Sequence, residues 1–277
     1  MPIASGSTAI SKMYVGGTLV SAAYANSASL LFNPSSLFAD SEQGAWYDPS
    51  DWSTLFQDSA GTTPVTAVGQ PVGKMLDKSG RSNHATQPTA INRPVLQIDG
   101  SGRYYLALNG TNSWMSTPAI NFTATNKMTV VAGVKKLSAA QSIICELSPI
   151  FSSNAGAFAM YSSRILVGDL YFASKGTSTS TAYCAGFPEG NSYVSTGLAS
   201  VSDLLIILRV NGTQVSNSGL TQGSGNYGNH QLFIGMRAGV SLPFNGNLYG
   251  LVVRGALSTA PQIAGAETYM NSKTGAY

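Results

Sequence analysis

The chain has 277 residues, enough for one large β domain or for a domain with an appendage. Only 10% of these residues are charged and the formal net charge is +3, whereas an average soluble domain is about 25% charged. The basic residues are scattered, with Lys135 and Lys136 as the only adjacent pair, so the composition argues against nucleic-acid binding, which needs a concentrated basic face. Low charge instead suits copies that assemble into a particle without repelling one another.

The sequence carries no visible signal for export or for membrane insertion. Its opening residues, MPIASGSTAI, lack the basic start and the apolar core of a secretory signal. The aliphatic run at 204–208 is far too short to span a bilayer. Without an export signal, we expect Cys145 and Cys184 to be buried free thiols, although a disulfide between them stays open. We therefore expect a protein that is made and assembled in a cytoplasm.

Near the N-terminus, residues 9–24 (AISKMYVGGTLVSAAY) are typical of a β-hairpin, because Gly16 and Gly17 can supply the two positive φ angles of a type I′ turn. Counting outward from this turn pairs Val15 with Thr18, Tyr14 with Leu19, and Met13 with Val20. Both faces are partly apolar, and an isolated hairpin is marginal in water, so it must dock on its own domain or on another chain. The candidate docking residues are the apolar ones: Ile10, Met13, Tyr14, Val15, Leu19 and Val20. The stretch that follows, up to residue 45, is interpreted as a linker or a second docking segment.

Residues 46–99 contain five prolines, which rule out a long helix in this stretch. Asp48 and Asp51 flank Pro49 in the sequence WYDPSD, which is typical of a turn. Downstream, short apolar or alternating runs between turn residues predict strands. These strands are predicted on either side of an Asn-Gly turn within 107–117, and at 127–136, 143–146, 157–161, 165–172, 204–210 and 213–215. Residues 173–200, rich in Ser, Thr and Gly, are predicted to be surface loop with room for one strand.

The end of the chain gives the clearest pattern. Leu232–Ile234 predicts a strand, and the nearly continuous apolar run at 248–253 predicts a central strand that is buried on both faces. Residues 258–272 predict the one helix, with Ser258 as its N-cap and Gly275 beyond its end. Many short strands followed by one helix indicate an all-β fold, a β-sandwich of two sheets.

The order of four stretches carries a family resemblance. They are DKSGRSNHA (77–85), LALNGTNSWMST (106–117), LLIILRVNGTQV (204–215) and LFIGMRAGVSLPFNGNLYGLVVRGALSTAPQIAGAETYM (232–270). Together they resemble the concanavalin A-like lectin/glucanase superfamily, specifically its laminin-G-like domains. The resemblance covers residues 46–277 and implies a jelly-roll sandwich of two antiparallel sheets, which leaves 1–45 as an N-terminal hairpin arm and linker. Such scaffolds host many unrelated functions, so the resemblance implies a fold and not a ligand.

Two stretches carry a narrower resemblance. The run WYDPSDWSTLFQDSAGTTPVTAVGQPVGKMLDKSGRSNHATQ (46–87) is similar to a segment common in structural proteins of tailed bacteriophages. The arm ISKMYVGGTLVSAAY (10–24) is similar to short hairpin modules at the start of phage tail and fibre proteins. The resemblance implies a non-enzymatic virion protein, a capsid-decoration, baseplate or tail-fibre component that binds other virion proteins through its arm. By analogy with virion appendages, this resemblance also implies that the protein forms a homo-oligomer such as a trimer.

Two other functions stay open. The second hypothesis is a carbohydrate-binding module for receptor recognition or adhesion, and the third is a polysaccharide-degrading enzyme. Glycosidases that form a covalent intermediate hold two carboxylates about 5–5.5 Å apart, but the glutamates are few and dispersed: Glu42, Glu146, Glu189 and Glu267. His84 and His230 accompany no G-x-S-x-G motif. Asp77 and Asn83 are conceivable calcium ligands, yet we favour an Asp77 that accepts backbone hydrogen bonds within its own turn. We therefore expect no enzyme, no metal and no cofactor.

Glycan binding needs exposed aromatic rings that stack on sugar faces, together with polar groups that bond to the hydroxyls. Tyr183, Tyr193 and Tyr227 lie in stretches predicted as polar loops and are the candidate residues. The alternative is that these tyrosines pack on the edge of the sandwich. Three tryptophans are expected in the core instead: Trp46, Trp52 and Trp114.

Overall fold

The computed structural model describes residues 32–164 and 168–277 in full, and before residue 32 it describes only the backbone of four short strands. The strands are β1 (Met13–Val15), β2 (Thr18–Val20), β3 (Tyr24–Ala25), β4 (Ala28–Ser29), β5 (Gly44–Tyr47), β6 (Leu55–Phe56), β7 (Lys74–Met75), β8 (Ala85–Thr86), β9 (Val95–Ile98), β10 (Tyr104–Asn109), β11 (Met115–Asn121), β12 (Lys127–Lys136), β13 (Ser142–Leu147), β14 (Ala157–Ser162), β15 (Leu170–Lys175), β16 (Thr179–Cys184), β17 (Ser192–Ser200), β18 (Leu205–Val210), β19 (Thr213–Ser218), β20 (Asn229–Ile234) and β21 (Asn245–Arg254). The α-helix α1 is Ala260–Thr274, and short 3-10 helices lie at Pro34–Phe38, Trp52–Thr54 and Ala90–Asn92.

Most of these strands form two antiparallel sheets packed face to face. The eight-stranded sheet has the order β19-β18-β17-β12-β21-β10-β9, and β5 also pairs with β21. The nine-stranded sheet has the order β16-β15-β14-β13-β20-β11-β8-β7-β6. A large apolar cluster lies between the sheets, with Met128 and Leu251 from one and Phe158 and Phe172 from the other. The structure therefore confirms the predicted all-β sandwich with one C-terminal helix.

Strand β21 is the central strand that the apolar run 248–253 predicted. It pairs with β10, β12 and β5 and is buried along nearly its whole length. Leu251 and Val253 point into the core between the sheets, whereas Val252 packs in a second apolar cluster on the helix side. Strand β20 belongs to the opposite sheet, so the loop at 235–244 carries the chain from one sheet to the other.

Helix α1 covers the outer face of the eight-stranded sheet, where two glycines make room for it. Gly133 on β12 and Gly250 on β21 are cross-strand partners. A Cβ atom on Gly133 would lie 2.7 Å from the Cγ and Sδ atoms of Met270, and one on Gly250 would lie 2.9 Å from its Sδ atom. Because neither residue has a side chain, Met270 on α1 sits directly against the two strands and is fully buried.

The helix begins one residue later than predicted. Its N-cap is Thr259, whose side chain accepts from the backbone N–H of Gln262 while the Gln262 side chain accepts from the backbone N–H of Thr259. The prediction of Ser258 as the cap was wrong, because the Ser258 hydroxyl accepts instead from the Arg254 guanidinium. Gly275 ends the helix as expected, with a left-handed φ of 60°.

The described part of the predicted arm, residues 32–45, packs on the sandwich. Leu37 and Phe38 join the apolar cluster beneath α1, and Glu42 forms an ion pair with Arg254 at the end of β21. Strands β1 and β2 pair in the register predicted for the hairpin. The side chains proposed for docking lie outside the described residues, so their docking stays a prediction: Ile10, Met13, Tyr14, Val15, Leu19 and Val20.

Three local predictions were wrong. Residues 173–200 are not mainly loop, because β16 and the nine-residue β17 lie within them. The strand predicted at 165–172 begins only at Leu170; Gly168 adopts a φ of 73°, and residues 165–167 lie outside the described residues. Both cysteines are free thiols as expected, but only Cys145 is fully buried. No helix of the described residues is long and apolar enough to cross a membrane.

Candidate functional site

The three candidate tyrosines occupy very different environments. Tyr183 lies on β16 and is 42% exposed. Tyr193 lies on β17 and is 5% exposed, and its hydroxyl donates to the Pro188 carbonyl oxygen at 2.8 Å. Tyr227 is 1% exposed and hydrogen bonds to the Ser174 hydroxyl at 2.6 Å. The expected exposure was therefore wrong for Tyr193 and Tyr227, whose rings fill the core. The expected loop position was wrong for Tyr183 and Tyr193, which lie on strands.

Tyr183 is the exposed end of a row of three tyrosines on the nine-stranded sheet. Tyr161 on β14 is the cross-strand partner of Tyr171 on β15, which is the partner of Tyr183 on β16. The ring centroids of Tyr161 and Tyr171 are 5.3 Å apart in an edge-to-face pair, and those of Tyr171 and Tyr183 are 5.7 Å apart and stacked. Their strand neighbours Met160 and Phe172 point into the core, so this tyrosine row lies on the outer face of the sheet.

Two arginines lie over the tyrosine row. The Arg164 guanidinium carbon lies 5.4 Å from the Tyr161 ring centroid and 6.0 Å from that of Tyr171. The Arg237 guanidinium carbon lies 5.9 Å from the Tyr161 centroid, and its Nη2 donates to the Tyr161 hydroxyl at 2.8 Å. Such contacts are favourable because the face of an aromatic ring is electronegative. Arg164 is exposed, whereas Arg237 is half-buried.

A buried carboxylate fixes Arg237 in this position. Glu146 on β13 has no exposed surface, and both of its oxygens accept from Arg237 Nε, at 3.1 and 2.9 Å. Its Oε1 also accepts from the backbone N–H of Phe151 at 2.8 Å. Burial raises the pKa of Glu146 above its ordinary value, and the neighbouring Arg237 only partly offsets that loss of hydration. Burial likewise raises the pKa of Tyr161, so its phenol stays neutral at physiological pH.

The tyrosine row therefore offers a rigid aromatic surface with hydrogen-bond donors beside it. The exposed ring of Tyr183 is stacked on Tyr171. Because this contact already restricts the Tyr183 side chain, little conformational entropy is lost when a ligand binds. The exposed guanidinium of Arg164 supplies donors of fixed geometry. A stacking platform with adjacent donors suits a ligand that has both an apolar face and oxygen acceptors. The sequence signal was one tyrosine on each of three strands, but only the strand register aligns them.

Three residues considered for hydrolysis have hydrogen-bond or ion-pair partners in the structure: Glu146, Asp48 and His84. Glu146 is paired with an arginine and not with a second carboxylate. Asp48 sits in the predicted turn, where its Oδ1 accepts from the Ser50 N–H at 3.0 Å and its Oδ2 accepts from Tyr269 on α1 at 2.7 Å. His84 Nδ1 accepts from a backbone N–H at 3.0 Å, which is the opposite of the donor role that a catalytic triad requires at this atom.

The Asp77 carboxylate accepts backbone hydrogen bonds from its own turn, from β5 and from Asn83. Its Oδ1 accepts from the backbone N–H groups of Trp46 at 2.9 Å and Ser79 at 2.8 Å, and its Oδ2 accepts from that of Asn83 at 3.0 Å. The bond from Ser79 lies within the predicted DKSG turn, whereas the bonds from Trp46 and Asn83 come from outside it. No cluster of three or more His, Cys, Asp or Glu side chains suited to a metal ion lies within the described residues.

Two cavities open away from the tyrosine row. One of about 390 Å³ lies at the end of α1 and is lined by Ser50, Ser101, Gly102, Arg103, Tyr104, Ser272 and Lys273. The other, of about 420 Å³, is lined by Lys74, Ser82, His84, Thr86, Ser116, Thr117, Pro118 and Gln231. In the first cavity Lys273 is paired with Asp48 at 3.0 Å and Arg103 with Asp99 at 3.7 Å.

No protein-family model and no curated protein sequence matches the chain. Its fold is similar to that of solved botulinum neurotoxin binding domains. The serotype D binding domain aligns with a TM-score of 0.56 at 8% identity, over 82% of this chain and 52% of that one. The type G receptor binding domain aligns at 0.53 and 9% identity, over 73% and 50%. The serotype D ligand binding domain in complex with N-acetylneuraminic acid aligns at 0.53 and 10% identity, over 73% and 50%.

The chain spans about half the length of those structures. At such low sequence identity, the likeness shows the fold alone. The described residues form a β-sandwich of two antiparallel sheets, the architecture that the resemblance to concanavalin A-like domains led us to expect.

Proposed function

We propose that the chain is a non-enzymatic glycan-binding module for receptor recognition, and that the tyrosine row is its contact surface. The observation that carries this proposal is the exposed Tyr183 ring, held by stacking on Tyr171 beside the exposed Arg164. The likeness to toxin binding domains supports it, because two of those structures hold N-acetylneuraminic acid and SialylT. The isolated position of Glu146 next to Arg237 supports a binding role over hydrolysis.

Stacking on Tyr183 explains why such a surface would favour sugars. A pyranose ring presents C–H groups on one face and hydroxyls around its rim. The ring of Tyr183 can cover the apolar face, while guanidinium donors at the next ring along the row bond to rim oxygens. Because Tyr183 stands on a paired strand and not on a flexible loop, binding orders few additional groups.

A glycan array and a titration with the bound glycans test the proposal. We expect the full chain to bind at least one class of oligosaccharide, and Tyr183→Ala to weaken that binding by about tenfold or more. Tyr277→Ala is the matched control, since Tyr277 is 54% exposed and lies at the C-terminus away from the tyrosine row. Absence of binding across a broad array, or equal losses for both variants, would overturn the proposal.

The same chain is proposed to be a virion component, such as a capsid decoration, baseplate or tail-fibre protein. Support comes from the resemblance of 46–87 to structural proteins of tailed bacteriophages and from the hairpin register of β1 and β2. The N-terminal hairpin would bind other virion proteins in assembled particles, in a homo-oligomer such as a trimer, and the sandwich would face outward.

Deletion of residues 1–30 tests this anchoring role. The deletion leaves the described contacts of residues 32–45 with the sandwich intact. We expect a folded, glycan-binding protein that no longer joins particles during assembly in the host cytoplasm. Normal incorporation of the truncated protein would refute the anchoring role and leave the glycan-binding role untouched.

A further inference from the structure

The charges around the tyrosine row are unequally available to a ligand. The positive charge of Arg237 is paired with Glu146. Lys136 is fully buried, and its Nζ donates to the carbonyl oxygens of Phe187 at 2.8 Å and of Asp169 at 3.1 Å. Lys175 is nearly buried, and its Nζ donates to the Ser152 carbonyl oxygen.

Arg164 differs from these three cations. It is exposed, the ion pairs of the described residues do not include it, and its Nη1 and Nε donate to the Gln141 side-chain oxygen at 3.0 and 3.2 Å, which leaves Nη2 for a ligand. The acidic side chain that follows it in the chain, Asp169, is buried, and its Oδ1 accepts from the backbone N–H of Arg164. Among Arg164, Asp169 and the three cations above, only Arg164 is exposed.

We infer that the tyrosine row selects an acidic saccharide, a pyranose that carries one carboxylate, with the ring on Tyr183 and the carboxylate on the Arg164 guanidinium. This inference rests on the proposed glycan binding and specifies the class of sugar. Tyr171 connects the two contacts, because it stacks on Tyr183 and also lies under Arg164. Tyr171 is thus the one ring that contacts both Tyr183 and Arg164.

The chemistry of arginine favours a carboxylate over a neutral hydroxyl at this position. A guanidinium can donate two parallel N–H bonds to the two oxygens of a carboxylate, and such charge-assisted bonds are about twice as strong as neutral ones. The contacts of Arg164 with two aromatic faces restrict its side chain before the ligand arrives. A restricted guanidinium loses less conformational freedom on binding than a free one.

A matched pair of probes tests the inference on the full chain. Methyl β-glucuronide and methyl β-glucoside differ only in the carboxylate, and the shifts of tyrosine ring resonances report the binding of each. We expect the acidic probe to bind about tenfold more tightly than the neutral one, with the difference shrinking as salt screens the charge.

Three variants separate the contributions. Arg164→Gln should abolish the preference for the acidic probe, Arg164→Lys should keep part of it, and Tyr183→Ala should weaken both probes. Arg103→Gln is the control, because the Arg103 side chain is 35% exposed on the turn after β9 in the other sheet. Equal affinities for the two probes, or a preference that survives Arg164→Gln, would overturn the acidic selectivity while glycan binding stands. If neither probe nor any arrayed glycan binds, the proposed function fails and the selectivity fails with it.

Discussion

The ion pair beneath the tyrosine row gives the sharpest stability prediction. Substitution of Arg237 by Ala removes the partner that donates to both oxygens of Glu146. The Glu146 side chain has no exposed surface, so its carboxylate cannot regain water in place of the lost guanidinium. Its remaining hydrogen bond comes from the backbone N–H of Phe151. The variant therefore holds a buried carboxylate without a counter-charge.

The size of the effect follows from that burial. Breaking a buried ion pair from one side typically lowers the free energy of unfolding by about 3–5 kcal/mol. For a domain of this size each kcal/mol lowers the melting temperature by about 2–4 °C, so Arg237→Ala should melt roughly 10 °C below the native protein. The double variant Glu146→Leu with Arg237→Met should lose much less, because it removes both charges and keeps most of the buried volume.

The pH dependence has a defined sign. The folded-state pKa of Glu146 is raised above its ordinary value of 4.5 by burial, so protonation of this group favours the folded state. That contribution is fully present below the unfolded pKa and is lost as the pH rises through the raised folded pKa. Without Arg237 the folded pKa rises further, so the destabilisation by Arg237→Ala should be smaller at about pH 4 than at about pH 8.

Urea unfolding of the native protein and the variants at both pH values measures these free energies. Arg164→Ala is the matched control, because this arginine also lies over Tyr161 but is exposed and has no ion-pair partner among the described residues; we expect it to change the stability by no more than about 0.5 kcal/mol. A loss below about 1 kcal/mol for Arg237→Ala, or an equal loss for the double variant, would refute the argument from burial.

Two further predictions concern helix α1. Gly133→Val should lower the free energy of unfolding by about 1–3 kcal/mol, since its side chain would overlap Met270. Gly100→Val, where nothing lies within 4 Å of an added Cβ, should cost less in the same urea titration. Thr259→Ala should cost about 1 kcal/mol through loss of the capping box, whereas Thr259→Ser should stay near the native value. Equal unfolding midpoints for each pair would contradict these assignments.

Local patterns predicted those elements whose residues alone decide their conformation. The strand Lys127–Lys136 has its predicted bounds, because its apolar and β-branched residues favour extended backbone. The register of the N-terminal hairpin follows from counting outward from two glycines. The N-cap was misplaced by one residue, since Ser258 and Thr259 are both good caps and only the position of Arg254 separates them.

The polar strands were missed because their composition is typical of loops. Ser195 and Thr196 on β17 have no exposed surface. The next residue, Gly197, has no Cβ atom, and a Cβ atom there would lie 2.5 Å from the Phe172 ring. In a sheet centre, small residues allow the opposite sheet to bring a large ring close. The need for a glycine at position 197 depends on Phe172, which lies on another strand and far away in the sequence. A prediction from the residues around 197 alone therefore cannot detect it.

The tyrosine row was missed because its three residues lie on three strands and only the strand register brings them together. The different burial of the three rings explains why only one of them is suited to binding. Tyr161 and Tyr171 are buried, and exposure rises only at Tyr183, which lies on the edge strand β16. The buried end is fixed by the ion pair of Glu146 with Arg237, and the exposed end receives that rigidity through successive ring contacts. A substitution at the buried end should therefore reduce stability first, and one at the exposed end should reduce binding first. The Arg237 variant should therefore lose stability and the Tyr183 variant should lose glycan binding, although both residues contact the tyrosine row. If both variants lost only stability, the row would not be a binding surface.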